Sequence, residues 1–365
     1  MFFNKNYIKE DDEVYCDLLR LARVSDDTNY TKEKLNTAIH TLNQLPMYAK
    51  AHWRLIPLLN AKAKQLNIFN KLNNSVQHLL TTETQKGIVR EIAKEQQLKE
   101  IIEVLSAAKI PMIFLKGTAF ANNIYSKEAP RLTNDIDILI QRESWDLAVN
   151  LLNKVMVYKS KSSGVLDELT EISFVPKTAI GASLDLHSRI SYPFIFDSWE
   201  ATLWEKSVMH PHFSNEYVRI LEPNDAVIHQ AIHSFVDMDF CKYNIIDVYE
   251  TINQSSLDID TIFKLAKAQS VDIPVYILIM NCQKVIEDLS DFNVLLNFKA
   301  NTIRFEIALR LSLSDAARKK IVKKMLYRFL QVLSQYVFLR KPLSSFRLQM
   351  LFLFTWFKIY INKYI

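Results

Sequence analysis

The sequence predicts an α+β protein in which a small mixed sheet is flanked by mostly helical N- and C-terminal regions. Only 4 glycines and 10 prolines occur in 365 residues, which is too little turn-forming material for an all-β fold. Apolar residues recur at helical spacing over most of the chain, and the short runs typical of strands are confined to residues 112–190. The apolar fraction of 49% and the charged fraction of 23% are ordinary for a soluble globular protein.

The N-terminal part of the chain is predicted to be helical and to lead into the first strand. Helical periodicity covers residues 11–107, and Pro111 ends this stretch because the residue before a proline disfavours helical backbone geometry. The apolar run at 112–115 is then expected to form a short buried strand. A turn at 116–118 follows, and the chain resumes as a helix over 118–125.

Three further strands are expected before the chain becomes helical again near residue 220. In the strand 135–140, alternation places Asp135 and Asp137 on one face and the isoleucines on the other. The other predicted segments are an amphipathic helix over 142–155, a hairpin of strands 171–178 and 182–190 that turns near Gly181, and a helix over 222–236 with Asn224 as its N-cap.

These segments divide the chain into a helical N-terminal region (1–97), a core (98–215), a second helical region (216–335) and a basic aromatic tail (336–365). Residues 301–365 carry 13 Lys and Arg against 2 Asp and Glu, although the net charge of the whole chain is only +5. The apolar run in the tail is too short to cross a bilayer, so we expect peripheral membrane contact or a protein contact there. The basic residues at 318–328 are an alternative contact for nucleic acid, but no recognition motif accompanies their charge, so no clear nucleic-acid partner is indicated.

The Asp135–Asp137 pair is a candidate metal site. Two carboxylates side by side on one strand face repel each other unless a cation lies between them, although a solvated strand face has the same spacing. Mg²⁺ prefers carboxylate and phosphate oxygens. Asp185, on a later predicted strand, is the best candidate for the third carboxylate of a two-metal site. In such a site one Mg²⁺ activates an attacking hydroxyl and the other holds a triphosphate.

The Lys116-Gly117-Thr118 turn has the features of a nucleotide-phosphate site. It follows a strand and precedes a helix, so the amides of Gly117 and Thr118 would be available to an anion, and glycine allows close approach of the backbone. Lys116 adds a positive charge. Arg131, four residues before Asp135, is a further candidate for phosphate binding, with a plain surface arginine as the alternative.

Three motifs resemble those of the uncharacterised nucleotidyltransferase family of the polymerase-β-like superfamily. They are FLKG at 114–117, RLTNDIDILI at 131–140 and LDLH at 184–187. The resemblance implies a short mixed sheet with helices and transfer of a nucleoside monophosphate from an NTP, with metal held at the two aspartates of the DID motif. It also implies that Asp185 is the third carboxylate. Lys-Gly stands here in place of the Gly-Ser of the superfamily's usual phosphate loop.

The resemblance implies an NTP such as ATP as substrate and an unidentified small-molecule or peptide acceptor, in natural-product or modified-peptide biosynthesis. Two alternatives on this scaffold remain open, and a membrane-surface partner protein built around the basic aromatic tail is a third. The first is kinase-like transfer of the γ-phosphate on the same scaffold, which the Lys-Gly replacement keeps open. The second is a non-catalytic nucleotide-binding or scaffold protein that retains the fold.

Two histidines are candidates for acceptor binding. His187 shares the strand face of Asp185, and His233 stands one helical turn after His229. Packing in the core is the alternative for each of them. The HQAIH segment lacks the glutamate of a zinc metalloprotease helix, so we do not expect zinc there.

The cysteine usage and the N-terminal segment predict a cytoplasmic protein. The three cysteines are far apart and form no metal-binding or disulfide pattern. The first residues lack the apolar core of a signal peptide.

Overall fold

A computed structural model of the chain describes residues 10–24, 30–121, 123–159, 171–178, 180–190, 197–237, 243–269 and 271–285. The predicted tail, and the part of the second helical region beyond residue 285, lie outside these residues. Five helices come first, as the periodicity predicts: α1 (Glu10–Leu21), α2 (Lys32–Asn43), α3 (Leu45–His52), α4 (Ile56–Gln65) and α5 (Asn74–Ala107).

Strands and short helices alternate through the middle of the chain. They are β1 (Met112–Leu115), α6 (Lys116–Ala121), β2 (Asp135–Ile140), α7 (Trp145–Val155), β3 (Met156–Tyr158), β4 (Glu171–Pro176), β5 (Ser183–His187), α8 (Asp197–Lys206), β6 (Val208–Met209) and β7 (Val218–Ile220). The later helices are α9 (Pro223–Asp237), α10 (Asn244–Gln254), α11 (Ile259–Ala268) and α12 (Asp272–Val285).

The strands form one mixed sheet in the order β3-β4-β5-β2-β1-β7-β6. Strand β2 pairs with β5 in parallel and with β1 in antiparallel orientation, and β1 pairs with β7 in parallel. Strands β4 and β5 form the predicted antiparallel pair. The α+β prediction is therefore confirmed.

The two faces of the sheet pack against different helices. Ile136, Ile138 and Ile140 belong to a core cluster with apolar residues of α5 and α7. Leu139 belongs to the larger cluster that contains the N-terminal helices and α9 to α12. Since side chains alternate along a strand, Asp135 and Asp137 share the face of Leu139, and the larger helical cluster covers them in part.

Two local predictions at helix ends are wrong. Helix α6 begins at Lys116 and ends at Ala121, instead of covering 118–125.

Helix α9 begins at Pro223, which suits the first turn, so Asn224 lies inside the helix. The Glu222 carboxylate accepts the backbone N–H groups of Asn224 and Asp225 and takes the capping role.

The sheet and the long helix α5 cross the region limits drawn from the sequence. The limit between residues 97 and 98 falls inside α5. Strand β7 lies beyond residue 215 and yet pairs with β1 in the same sheet. No helix in the described ranges is both long enough and apolar enough to span a membrane.

Candidate functional site

The three candidate carboxylates lie on one face of two adjacent strands. The parallel pairing of β2 with β5 places Asp137 beside Asp185 and Asp135 beside Ser183. Asp137 is only 2% exposed, whereas Asp135 and Asp185 are half-buried. The structure therefore brings together the three acidic residues that the sequence singled out.

Asp137 is the centre of a charged cluster. Lys116 Nζ donates a hydrogen bond to Asp137 Oδ1 at 2.7 Å, and His187 Nε2 lies 3.0 Å from the same oxygen. Lys116 directly follows β1 and has a φ of 48°, a left-handed conformation that is uncommon for residues other than glycine. This turn at the end of β1 brings the ammonium over the neighbouring strand β2, and such a backbone conformation is frequently found at functional sites.

The ion pair shifts the pKa values of the cluster. Burial acts to raise the pKa of Asp137, but Lys116 and His187 outweigh it and hold that pKa well below its usual range. Burial likewise acts to lower the pKa of Lys116, and Asp137 raises it overall. The pKa of Asp135 is raised by burial and then by the nearby charge of Asp137. Lys116 therefore compensates Asp137, while the negative charge of Asp135 is disfavoured.

Strand β4 supplies two residues of the site that sequence reasoning missed. His187 Nδ1 lies 3.4 Å from Glu171 Oε2, and Ser173 Oγ donates a hydrogen bond to Asp185 Oδ1 at 2.6 Å. Burial raises the pKa of Glu171, even though His187 acts to lower it. The predicted hairpin could have pointed to both residues. Its register places Glu171 opposite His187 and Ser173 opposite Asp185.

The chemistry of the donor set fits Mg²⁺, because Asp135, Asp137 and Asp185 offer carboxylate oxygens on one face. The raised pKa of Asp135 indicates that additional positive charge would stabilise this face. In the part of the chain that the structure describes, no group of three or more His, Cys, Asp or Glu side chains has the geometry to hold a metal ion. Asp137 Oδ1 is engaged by Lys116, so a metal ion at this carboxylate would compete with the ammonium.

Arg131 lies in a buried ion pair with Asp247 of α10. Its Nε is 2.8 Å from Asp247 Oδ1 and its Nη2 is 2.5 Å from Oδ2, while the guanidinium carbon lies 4.7 Å from the ring centroid of Tyr243. Tyr125 donates a further hydrogen bond of 2.8 Å to Asp247. Arg131 is 5% exposed, so the surface-arginine alternative is wrong, and its role in phosphate binding stays a prediction.

Close packing explains why position 117 is a glycine. A Cβ atom at this position would lie 2.3 Å from Arg131 Nη1 and 2.3 Å from Thr133 Cγ2, which is closer than real Cβ contacts. Gly117 and Thr118 are both buried, and the Thr118 hydroxyl has no hydrogen-bond partner among the described residues. The turn is therefore packed directly against Arg131, and binding of phosphate by the Gly117 and Thr118 amides stays a prediction.

Two histidines of α9 lie close to this cluster. Burial first, and then the positive charge of Lys116, lowers the pKa of His229 to about 3. The same causes lower the pKa of His233 well below its ordinary value. Both rings are therefore neutral near pH 7. The expected absence of zinc at these histidines remains untested, and the acceptor-binding role of His187 and His233 stays a prediction.

Acidification is expected to destabilise the protein through His229. Its folded pKa of about 3 lies below the ordinary value of 6.5, so the unfolded chain takes up a proton first as the pH falls. The stabilisation is complete above pH 6.5 and is lost between 6.5 and 3. Through His229, the free energy of unfolding is expected to be about 2 kcal/mol lower at about pH 5 than at about pH 7.5.

Urea unfolding of the wild type and of His229→Gln at the two pH values measures this loss. The variant retains His233, so its free energy of unfolding should still fall, by about 2 kcal/mol less than that of the wild type. An identical fall in both proteins would mean that His229 is not buried in its neutral form.

The comparison with known proteins gives a family for the chain. A family model described as uncharacterised nucleotidyltransferase matches residues 44–287, which is more than half of the chain. The matched span includes the strands that carry the three aspartates, the Lys116 turn and the helices α9 to α12. No curated protein matches the chain. The chain therefore belongs to the uncharacterised nucleotidyltransferase family.

Proposed function

We propose that this protein is a Mg²⁺-dependent enzyme that transfers the nucleoside monophosphate of an NTP to an acceptor and releases pyrophosphate. Membership of the family supports nucleotidyl transfer in general. The observation that carries the proposal is the placement of Asp135, Asp137 and Asp185 on adjacent strands beside Lys116. Such a set of hard oxygen donors next to a lysine suits a metal-bound triphosphate.

Asp135, Asp137 and Asp185 would hold the ion, and bound Mg²⁺ would neutralise phosphate charge and promote ionisation of the acceptor hydroxyl. The surrounding side chains restrain these carboxylates. His187 lies between Asp137 and Glu171, and Ser173 donates a hydrogen bond to Asp185, so two of the three carboxylates are restrained before substrate binds. Preorganisation of this kind is the main contribution that a protein makes to phosphoryl-group transfer.

Lys116 is proposed to have a different partner before and after substrate binds. Before substrate binds, its ammonium compensates the buried charge of Asp137. The Lys116 ammonium would be available to the phosphates of the NTP once bound Mg²⁺ compensated Asp137 in its place. A lysine ammonium is a compact charge on a flexible stem, so this movement needs no rearrangement of the backbone.

The acceptor is proposed to be a small molecule or a peptide in a biosynthetic pathway, and ATP is the first NTP to test.

One observation favours a second candidate, a non-catalytic nucleotide-binding protein. Asp137 is already compensated by Lys116 and bonded to His187, so the site is electrostatically satisfied at its centre without a metal ion. Kinase-like transfer of the γ-phosphate is the third outcome of the test below.

The position of the cleaved bond distinguishes these candidates. The full-length protein is incubated with Mg²⁺ and ATP radiolabelled at either the α- or the γ-phosphate, with water as the default acceptor. Nucleotidyl transfer is expected to give labelled AMP from the first substrate and labelled pyrophosphate from the second.

The other products identify the alternatives. ADP with labelled inorganic phosphate would indicate γ-phosphate transfer. Intact ATP, bound equally well with and without Mg²⁺, would indicate a binding protein. Asp137→Asn serves as the background control, since activity that persists at full level in this variant does not arise from the site.

A further inference from the structure

A cavity of about 360 Å³ adjoins Lys116 and contains none of the three candidate carboxylates. It lies between α6, β7, the first half of α9 and the end of α10. Its walls are mostly apolar, with Phe114, Phe120 and Ala226 among them. Met209, which is 64% exposed, belongs to its lining. The volume falls within the range of small-molecule sites, about 300–1,000 Å³.

The charge of the cavity lining is nearly zero. Among the described residues that line it there is no Asp or Glu, and its one lysine, Lys116, is paired with Asp137. His229 also lines it and is only 2% exposed. A cationic ligand would find no carboxylate there, and burial of an unpaired charge is costly. An anionic ligand would have to take Lys116 from Asp137.

Polar groups lie at two parts of this lining. Lys116 and His229 stand on the side of the carboxylate cluster, and the neutral imidazole of His229 offers both a hydrogen-bond donor and an acceptor. Thr251, Gln254 and Ser255 form the end that α10 contributes. A few convergent polar groups in an apolar cavity orient a ligand that is itself mostly apolar.

We propose that this cavity is the acceptor pocket and that it binds a neutral, largely apolar molecule whose hydroxyl group lies beside Lys116 and His229. This inference rests on the proposed nucleotidyl transfer and names the class of acceptor. In the reaction the hydroxyl oxygen bonds to the α-phosphorus and the bond from that phosphorus to the bridging oxygen breaks. The electron pair leaves with pyrophosphate, and the hydroxyl proton is released to water.

Three matched probes test the chemistry of the pocket without any nucleotide: phenylbutanol, phenylbutylamine and phenylbutyrate. Their affinities for the full-length protein are measured by ligand-observed NMR. Phenylbutanol is expected to bind at least about tenfold more tightly than the other two probes, because the described lining offers the amine no carboxylate and the carboxylate would have to take Lys116 from Asp137. Equal affinity for all three, or no binding of the alcohol, would overturn the proposal.

Two substitutions test the location. Met209→Trp places a larger side chain at an exposed position of the cavity lining. Ala226→Leu adds side-chain volume inside the cavity. Each is expected to weaken phenylbutanol binding by about fivefold or more. Met47→Trp is the matched control, since Met47 is 72% exposed on α3 and should leave binding unchanged. Binding that neither pocket variant weakens would place the alcohol elsewhere and contradict the assignment.

A labelling experiment separates this inference from the proposed function. With ATP labelled at the α-phosphate, bound phenylbutanol is expected to become labelled, and Met209→Trp should reduce that label while AMP formation with water continues. If AMP forms but the bound alcohol is never labelled, the cavity is not the acceptor pocket. If neither product forms although the alcohol binds, nucleotidyl transfer itself fails and the acceptor assignment falls with it.

Discussion

Asp137→Asn is expected to lower kcat/KM for nucleotidyl transfer by about 10³-fold, the largest effect of any single change at the site. The substitution keeps the shape of the side chain and removes its negative charge. Asp137 is the residue on which the Lys116 ammonium and the His187 ring converge, and it pairs in register with Asp185. Pyrophosphate release from ATP over a range of Mg²⁺ concentrations measures the effect.

The same variant should leave the fold nearly unchanged. Lys116 is 20% exposed, so its ammonium reaches water when the partner charge is lost. Asp146→Asn is the matched control, because it makes the same chemical change at an exposed position in the first turn of α7 and should retain full activity. If Asp137→Asn keeps more than about a tenth of the wild-type rate, Asp137 is not a ligand of the reactive metal.

The residues with a local pattern were predictable from the sequence. Period-2 alternation in 135–140 is enough to place Asp135 and Asp137 on one face, since it depends only on the geometry of a strand. The apolar run before Lys116 likewise predicted β1, because four consecutive buried residues are typical of a central strand. Asp185 was found for the same reason, once its segment was assigned as a strand.

The contacts between distant segments were not predictable. The Lys116–Asp137 pair depends on the antiparallel register of β1 with β2, which places Leu115 opposite Asp137. A single sequence does not show that register. The first residue of α6 also departs from propensity, since Lys116 has a left-handed backbone conformation that favours glycine. Packing and electrostatics of the assembled site outweigh the local preference there.

The buried ion pair of Arg131 was likewise not predictable from the sequence. From the sequence, an arginine four residues before a DID motif is a plausible phosphate ligand. Its partner Asp247 lies 116 residues away and has no sequence pattern that marks it as a partner. Only the docking of α10 against the loop before β2 brings the two side chains together. The guanidinium packs against Gly117, and so it shapes the turn that carries Lys116.

Asp247→Ala is expected to lower the free energy of unfolding by about 3–5 kcal/mol. Asp247 is fully buried, and the change leaves the Arg131 guanidinium without its carboxylate and the Tyr125 hydroxyl without its acceptor. An uncompensated charge in the interior costs more than the lost attraction, because water cannot replace the partner. Urea unfolding followed by circular dichroism measures the change.

A double variant isolates the part of this cost that comes from the unpaired charge. Arg131→Met combined with Asp247→Leu removes both ions and refills the volume, so it should be more stable than Asp247→Ala alone. Asp260→Ala, at an exposed position in the first turn of α11, is the control and should change stability by less than about 1 kcal/mol. If Asp247→Ala and the double variant prove equally unstable, the loss comes from packing around Tyr243 and Tyr125. The ion pair would then not be what holds Arg131 against the turn at Gly117.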